Sequence, residues 1–96
     1  MTNTENELEK LKPKIIEILK KFKIKKAGIF GSFVRGTQKK NSDIDILIEF
    51  DGGLLKLVRL ESELENKIKL KVDLLTYGGI NSLLKESILN EEVRII

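Results

Sequence analysis

Gly31-Ser32-Phe33-Val34-Arg35-Gly36, followed after six residues by Asp43-Ile44-Asp45-Ile46-Leu47-Ile48-Glu49-Phe50, is the stretch on which the reading of the fold turns. Its second half alternates, with Ile44, Ile46, Ile48 and Phe50 on one face and Asp43, Asp45, Leu47 and Glu49 on the other. Period-two alternation predicts a strand with one face in a core, and here the opposite face carries acids. The run Lys25 to Phe30 is too short for a helix and leads into Gly31, which predicts a second strand ending in a tight turn. The run Gly31 to Gly36 then suits the opening of a short helical turn.

Working outward, Leu8, Leu11, Ile15, Ile18, Leu19 and Phe22 recur at spacings of three and four, predicting an amphipathic helix over about 5 to 23. Pro13 either delays the regular helix to near Lys12 or kinks a longer one. On the other side, Asp51-Gly52-Gly53 is a turn, and Leu57, Leu60, Leu64 and Ile68 mark a helix over 54 to 68. Lys71 to Thr76 reads as a third strand and Gly78-Gly79 as a break. Ile80, Leu83, Leu84 and Ile88 mark a last helix, and Val93 to Ile96 a short terminal strand. This order predicts an α+β, two-layer fold in one domain over 1 to 96, a small mixed β-sheet with helices packed on it.

Composition narrows the chemistry. The chain has 96 residues, 41% of them hydrophobic, and neither cysteine nor histidine. Disulfides, zinc sites of the Cys/His kind, thiol nucleophiles and histidine-based triads are therefore excluded, so catalysis would rest on carboxylates, hydroxyls or cations. No apolar run approaches the ~18 residues needed to span a bilayer, and the polar N-terminus does not resemble a signal peptide, so a soluble, cytoplasmic protein is expected. The net charge of +3 splits into +7 over residues 1 to 40 (eleven Lys/Arg, four Glu) and −4 over 41 to 96 (seven against eleven). Most such charge is a solvated face. Fifteen lysines and thirteen isoleucines also resemble heat-adapted composition.

Asp43 and Asp45 stand two apart on a strand, so their Cα atoms lie roughly 6.5 to 7 Å apart on one face. Two carboxylates so placed repel each other, and a shared hard cation such as Mg²⁺ relieves the repulsion while leaving positions open to water and phosphate. Asp73 lies between Val72 and Leu74, where a lone ionised carboxylate would be costly. If its strand neighbours the first, the three could hold two ions ~3.5 to 4 Å apart, as in nucleotidyl transfer. Each aspartate alone would suit a cap, a solvent-facing strand position or a strand end. The glycine turn changes the balance. After a strand, Gly31-Ser32 offers backbone N–H groups and a hydroxyl to an anion, glycine allows close approach, and Arg35 adds a guanidinium fork.

Gly31-Ser32, ten residues, then Asp43-Ile44-Asp45 resembles the signature of the DNA polymerase β-like nucleotidyltransferase superfamily. The fuller stretch with Asn41-Ser42-Asp43-Ile44-Asp45-Ile46-Leu47-Ile48, and Val72-Asp73-Leu74-Leu75-Thr76 as a third-carboxylate strand, is similar to its smallest branch, the minimal nucleotidyltransferases. The similarity runs through essentially the whole chain. It implies the minimal polymerase β-like fold and, within the branch, a likeness to antitoxins that transfer AMP from ATP to a tyrosine hydroxyl of a HEPN-domain RNase toxin. Asp43 and Asp45 would then bind two Mg²⁺ ions and nucleotide phosphates. Asp73 would hold the ion facing the incoming hydroxyl, Gly31 and Ser32 would cradle the triphosphate, and Arg35 would contact phosphate.

Two other readings compete. A nucleotide-binding antitoxin could neutralise its partner by contact alone, although all three carboxylates and Gly31-Ser32 are retained. The segment Lys10 to Lys26, with eight lysines, could bind nucleic acid, but aromatic residues at 5% leave almost no stacking platform, so this ranks lower. Tyr77, just past the third strand, is expected to pack rather than to stack on a base or accept a modification.

Overall fold

The computed structural model describes residues 4 to 39 and 42 to 96, with side chains from Glu7 onward. Helix α1 spans Thr4–Lys21, β1 Ala27–Phe30, α2 Ser32–Arg35, β2 Ile44–Ile48, α3 Leu54–Ile68, β3 Val72–Thr76, α4 Ser82–Glu91 and β4 Val93–Arg94; a 3-10 turn covers Tyr77–Gly79. The radius of gyration is 12.7 Å, against ~12.5 Å for a compact chain of this length. No described helix is long and apolar enough to cross a membrane.

The sheet is mixed, in the order β3-β2-β1-β4. Strands β1 and β2 are antiparallel, as are β1 and β4, whereas β2 and β3 run parallel. The parallel pair requires a crossover, which α3 provides. One face of the sheet carries the core: Ala27, Ile29, Ile44, Ile46, Ile48, Val72 and Leu74 meet Leu8, Leu11, Ile15, Ile18 and Leu19 of α1 and Leu60, Leu64 and Ile68 of α3. The alternation read from Ile44 to Ile48 is the pleat of β2, although Leu47 on the opposite face is buried as well.

Of the two courses open to α1, the structure takes the longer helix, with Pro13 inside it. Pro13 is exposed, so the carbonyl its missing N–H leaves without a helical partner can turn to water. Strand boundaries are tighter than the periodicity suggested. Asp43 stands just before β2 and Phe50 after it, and Lys25 and Lys26 precede β1.

α4 differs from the other long helices. Asn81 caps it by accepting a hydrogen bond from the Leu83 N–H at 2.8 Å, yet none of its residues is buried. Leu83 is 90% and Leu84 56% exposed. The apolar spacing that predicted this helix therefore marks its existence but not a core face.

Candidate active site

The second face of the sheet gathers the acids. Asp45 of β2 and Asp73 of β3 are register partners in the parallel ladder, and their side chains are within hydrogen-bonding reach. The sheet order thereby meets the condition under which Asp73 joins the pair. Asp43 remains exposed at the mouth of β2, close enough for its charge to act on Asp45. Among the described residues no three acidic side chains converge as a ready-made metal cage.

Gly31 closes β1 against this pair. Its backbone lies at φ 83°, ψ −153°, a region nearly reserved for glycine, and a Cβ there would overlap Oδ2 of Asp45. Glycine is needed both for the turn and for the approach of the chain to the carboxylate. Its carbonyl accepts hydrogen bonds from the N–H groups of Val34 and Arg35 at 3.0 and 3.1 Å, which starts α2. Gly36, left-handed at φ 78°, ends it. This one-turn helix keeps Arg35 near Asp45, where the guanidinium counters part of the acid's charge, and Ser32 is its first residue. Asn41 lies outside the described residues, whereas the Ser42 hydroxyl oxygen accepts the Lys39 N–H at 2.7 Å.

Electrostatics single out Asp45. Burial first, then the charge and hydrogen bond of Asp73 and the charge of Asp43, push its carboxyl up to about 6. A carboxylate kept from ionising by its neighbours suits a bound divalent cation, which restores the charge balance, and the donor set is all hard oxygen. The residues present fit Mg²⁺ on those grounds.

This raised proton affinity predicts a pH dependence of stability. Between about pH 3.8 and 6 the folded protein holds a proton on Asp45 that the unfolded chain has released. The stability this adds is complete below the lower value and is lost as pH rises through the upper one. A tenfold difference in proton affinity between the two states is worth ~1.4 kcal/mol, and partial exposure of the carboxyl holds the whole effect to roughly 1 to 2 kcal/mol. In metal-free buffer, urea midpoints of the wild type should fall relative to Asp45→Asn across this window, and parallel pH curves would refute the assignment.

Phe30, Gly31, Arg35 and Asp45 share a cleft of about 340 Å³ with Leu84, Ser87, Ile88 and Glu91 of α4. Depressions as large lie elsewhere, one beside Lys23 and Asp51 and another between Phe22 and Arg59, so chemistry rather than size distinguishes this one. Two residues of this region escaped the reading of the sequence, Glu91 and Glu92. Glu91 accepts the Gly31 N–H and the Arg35 guanidinium. The Glu92 carboxylate lies over Gly28 and accepts the Tyr77 hydroxyl. No spacing rule links positions sixty residues apart, so only the closed sheet and the placement of α4 reveal them. Tyr77 packs as expected: the Lys26 ammonium lies 4.4 Å from its ring centroid, and burial followed by the bond to Glu92 raises its pKa.

A small mixed sheet with Asp45 and Asp73 as register partners on neighbouring strands, beside the Gly31 turn, has the fold of a minimal nucleotidyltransferase. The chain belongs to the polymerase β nucleotidyltransferase family, whose pattern, described as Polymerase beta, Nucleotidyltransferase, matches residues 13–96. Among its relatives, a Methanocaldococcus jannaschii protein provisionally named a protein adenylyltransferase is 53% identical over 91 residues, which are 93% of this chain and 98% of that protein. The protein adenylyltransferase MntA of Thermococcus cleftensis is 38% identical over 81 residues, 82% of each chain. A solved minimal nucleotidyltransferase superposes with a TM-score of 0.79 at 28% identity, covering 96% of this chain and 95% of the other. A toxin-antitoxin crystal structure with AMP-PNP superposes at 0.78 and 27% identity, covering 88% and 72%.

Proposed function

We propose that this chain is a Mg²⁺-dependent protein adenylyltransferase that moves AMP from ATP to a tyrosine hydroxyl of a HEPN-domain RNase toxin, and so acts as the antitoxin of a two-gene module. The observation that carries the reading is the Asp45–Asp73 pairing across β2 and β3, next to Gly31. The kinship with a named protein adenylyltransferase and the likeness to a toxin-antitoxin complex holding an ATP analogue support it.

In this reading the acceptor oxygen attacks the α-phosphorus of ATP, the bond to the bridging oxygen breaks, and pyrophosphate leaves. Gly31 N–H, the Ser32 hydroxyl and Arg35 hold the phosphates in line. Asp43, Asp45 and Asp73 would hold two Mg²⁺ ions, which supply charge neutralisation for the phosphates and a lowered pKa for the hydroxyl. Asp73, the more exposed of the paired acids, would take the hydroxyl proton in this reading, a task that falls to a carboxylate in a chain without histidine. In this reading the acceptor hydroxyl is carried by the partner protein, so recognition of the acceptor includes that partner's own surface. Leu84, which lines the cleft and is over half exposed, offers that partner an apolar contact at the mouth of the site.

The test is to incubate this chain with its cognate HEPN-domain toxin, ATP and Mg²⁺, and to weigh the toxin. A mass gain of one or more adenylyl groups, together with loss of RNase activity, is expected. Loss of RNase activity without a mass gain would establish neutralisation by contact alone.

A further inference from the structure

The Gly31 N–H donates to Oε1 of Glu91 at 2.8 Å, and Nη1 of Arg35 donates to Oε2 of the same carboxylate at 2.8 Å. One internal carboxylate thereby engages both the backbone donor and the guanidinium that the nucleotide reading assigns to phosphate. Arginine forks carboxylate and phosphate oxygens in the same manner, so an anion of either kind fits these donors. The bond to Arg35 comes first among the influences that hold the Glu91 carboxyl below its ordinary range, so the group stays ionised at neutral pH.

We infer that Glu91 is a built-in phosphate mimic: in the nucleotide-free protein it occupies the anion seat formed by Gly31 and Arg35, and the polyphosphate of the nucleotide must displace it. The inference rests on the nucleotide-binding reading above and adds a residue that sets nucleotide affinity. Glu91 and a polyphosphate, both negative, exclude each other from one pair of donors.

The carrier of Glu91 is suited to release. It is the last residue of α4, a helix with no fully buried residue, and Leu83 and Leu84 remain largely in water. Swinging the Glu91 side chain, already a quarter exposed, off its seat sacrifices little apolar burial, so the cost is concentrated in the two charge-assisted hydrogen bonds that phosphate replaces. By reciprocity, a partner that binds α4 with Glu91 released raises nucleotide affinity, and nucleotide favours that partner.

A positioning role for Glu91, in which it stays in place and aims Arg35 at the nucleotide, predicts the opposite sign, so affinity decides. Mg²⁺·AMP-PNP would be titrated calorimetrically into the full chain and its Glu91→Gln and Glu91→Ala variants. Glu86→Gln, an exposed position on the same helix, controls for the general loss of negative charge. Both Glu91 variants should bind about 5- to 10-fold more tightly than the wild type, the difference between charged and neutral hydrogen bonds, and the Glu86 variant should not. Equal or weaker binding by the Glu91 variants, with the wild type still binding AMP-PNP, overturns the mimic and leaves the nucleotide site standing. Binding by none of the four proteins removes the nucleotide reading and the inference together. The wild type supplies a readout independent of variant folding: AMP-PNP should shift the side-chain carboxyl ¹³C resonance of Glu91, and an unmoved resonance at saturation overturns the mimic.

Discussion

Replacing Asp45 with asparagine is expected to lower Mg²⁺-dependent AMP transfer by about 10² to 10⁴-fold, because a metal site supplies several kcal/mol of charge stabilisation and each decade of rate is worth ~1.4 kcal/mol. The fold should survive. Asp45 lies on the sheet face opposite the α1 and α3 core, and asparagine keeps its shape while removing a charge that Asp73 and Asp43 oppose. Above pH 6 the metal-free variant should therefore be more stable than the wild type, although it is nearly inactive. This separates a site residue from a structural one, since loss of a structural residue lowers both quantities. Asp43→Asn should also abolish transfer, but without a comparable gain in stability, because Asp43 is exposed. Radiolabel transfer from α-labelled ATP and urea denaturation at pH 7 measure the two effects. Label incorporation by Asp45→Asn equal to that of wild type would sink the metal assignment.

Gly31→Ala is expected to damage both stability and function. The backbone at φ 83°, ψ −153° costs a residue with a Cβ about 1 to 3 kcal/mol. The added methyl would also overlap Oδ2 of Asp45, so either the turn or the carboxylate must move. Movement of the turn takes with it the N–H that faces the anion seat, and nucleotide affinity should fall at least 10-fold along with stability. Gly53→Ala is the control. Gly53 also has a positive φ, 90°, but a Cβ there meets nothing within 4 Å. It should therefore carry the backbone cost alone, with nucleotide affinity unchanged. If the two variants lost affinity equally, the special role of the Gly31 turn would be refuted.

Much of this is legible in the order of residues alone. The period-two pattern through Ile44, Ile46 and Ile48 locates β2 and its core face, because side-chain alternation is a property of one strand and needs no partner. The three-and-four spacing of Leu57, Leu60, Leu64 and Ile68 bounds α3 at the residues observed, because a helix is likewise a local object. Gly31 and Ser32, separated from Asp43 by ten residues, are close enough along the chain for the motif to be read as a unit.

Two matters were decided by tertiary structure. Whether Asp73 meets Asp45 depends on the order and register of β3 and β2, set by the burial of Ile44, Ile46, Val72 and Leu74 against two helices rather than by the aspartates themselves. The seating of Glu91 on Gly31 and Arg35 depends on where α4 ends after the chain has crossed the sheet. The sequence determined the elements and the chemistry each could carry, because periodicity and backbone preference act over a few residues. It could not determine which charges meet, because that follows from packing summed over the whole core.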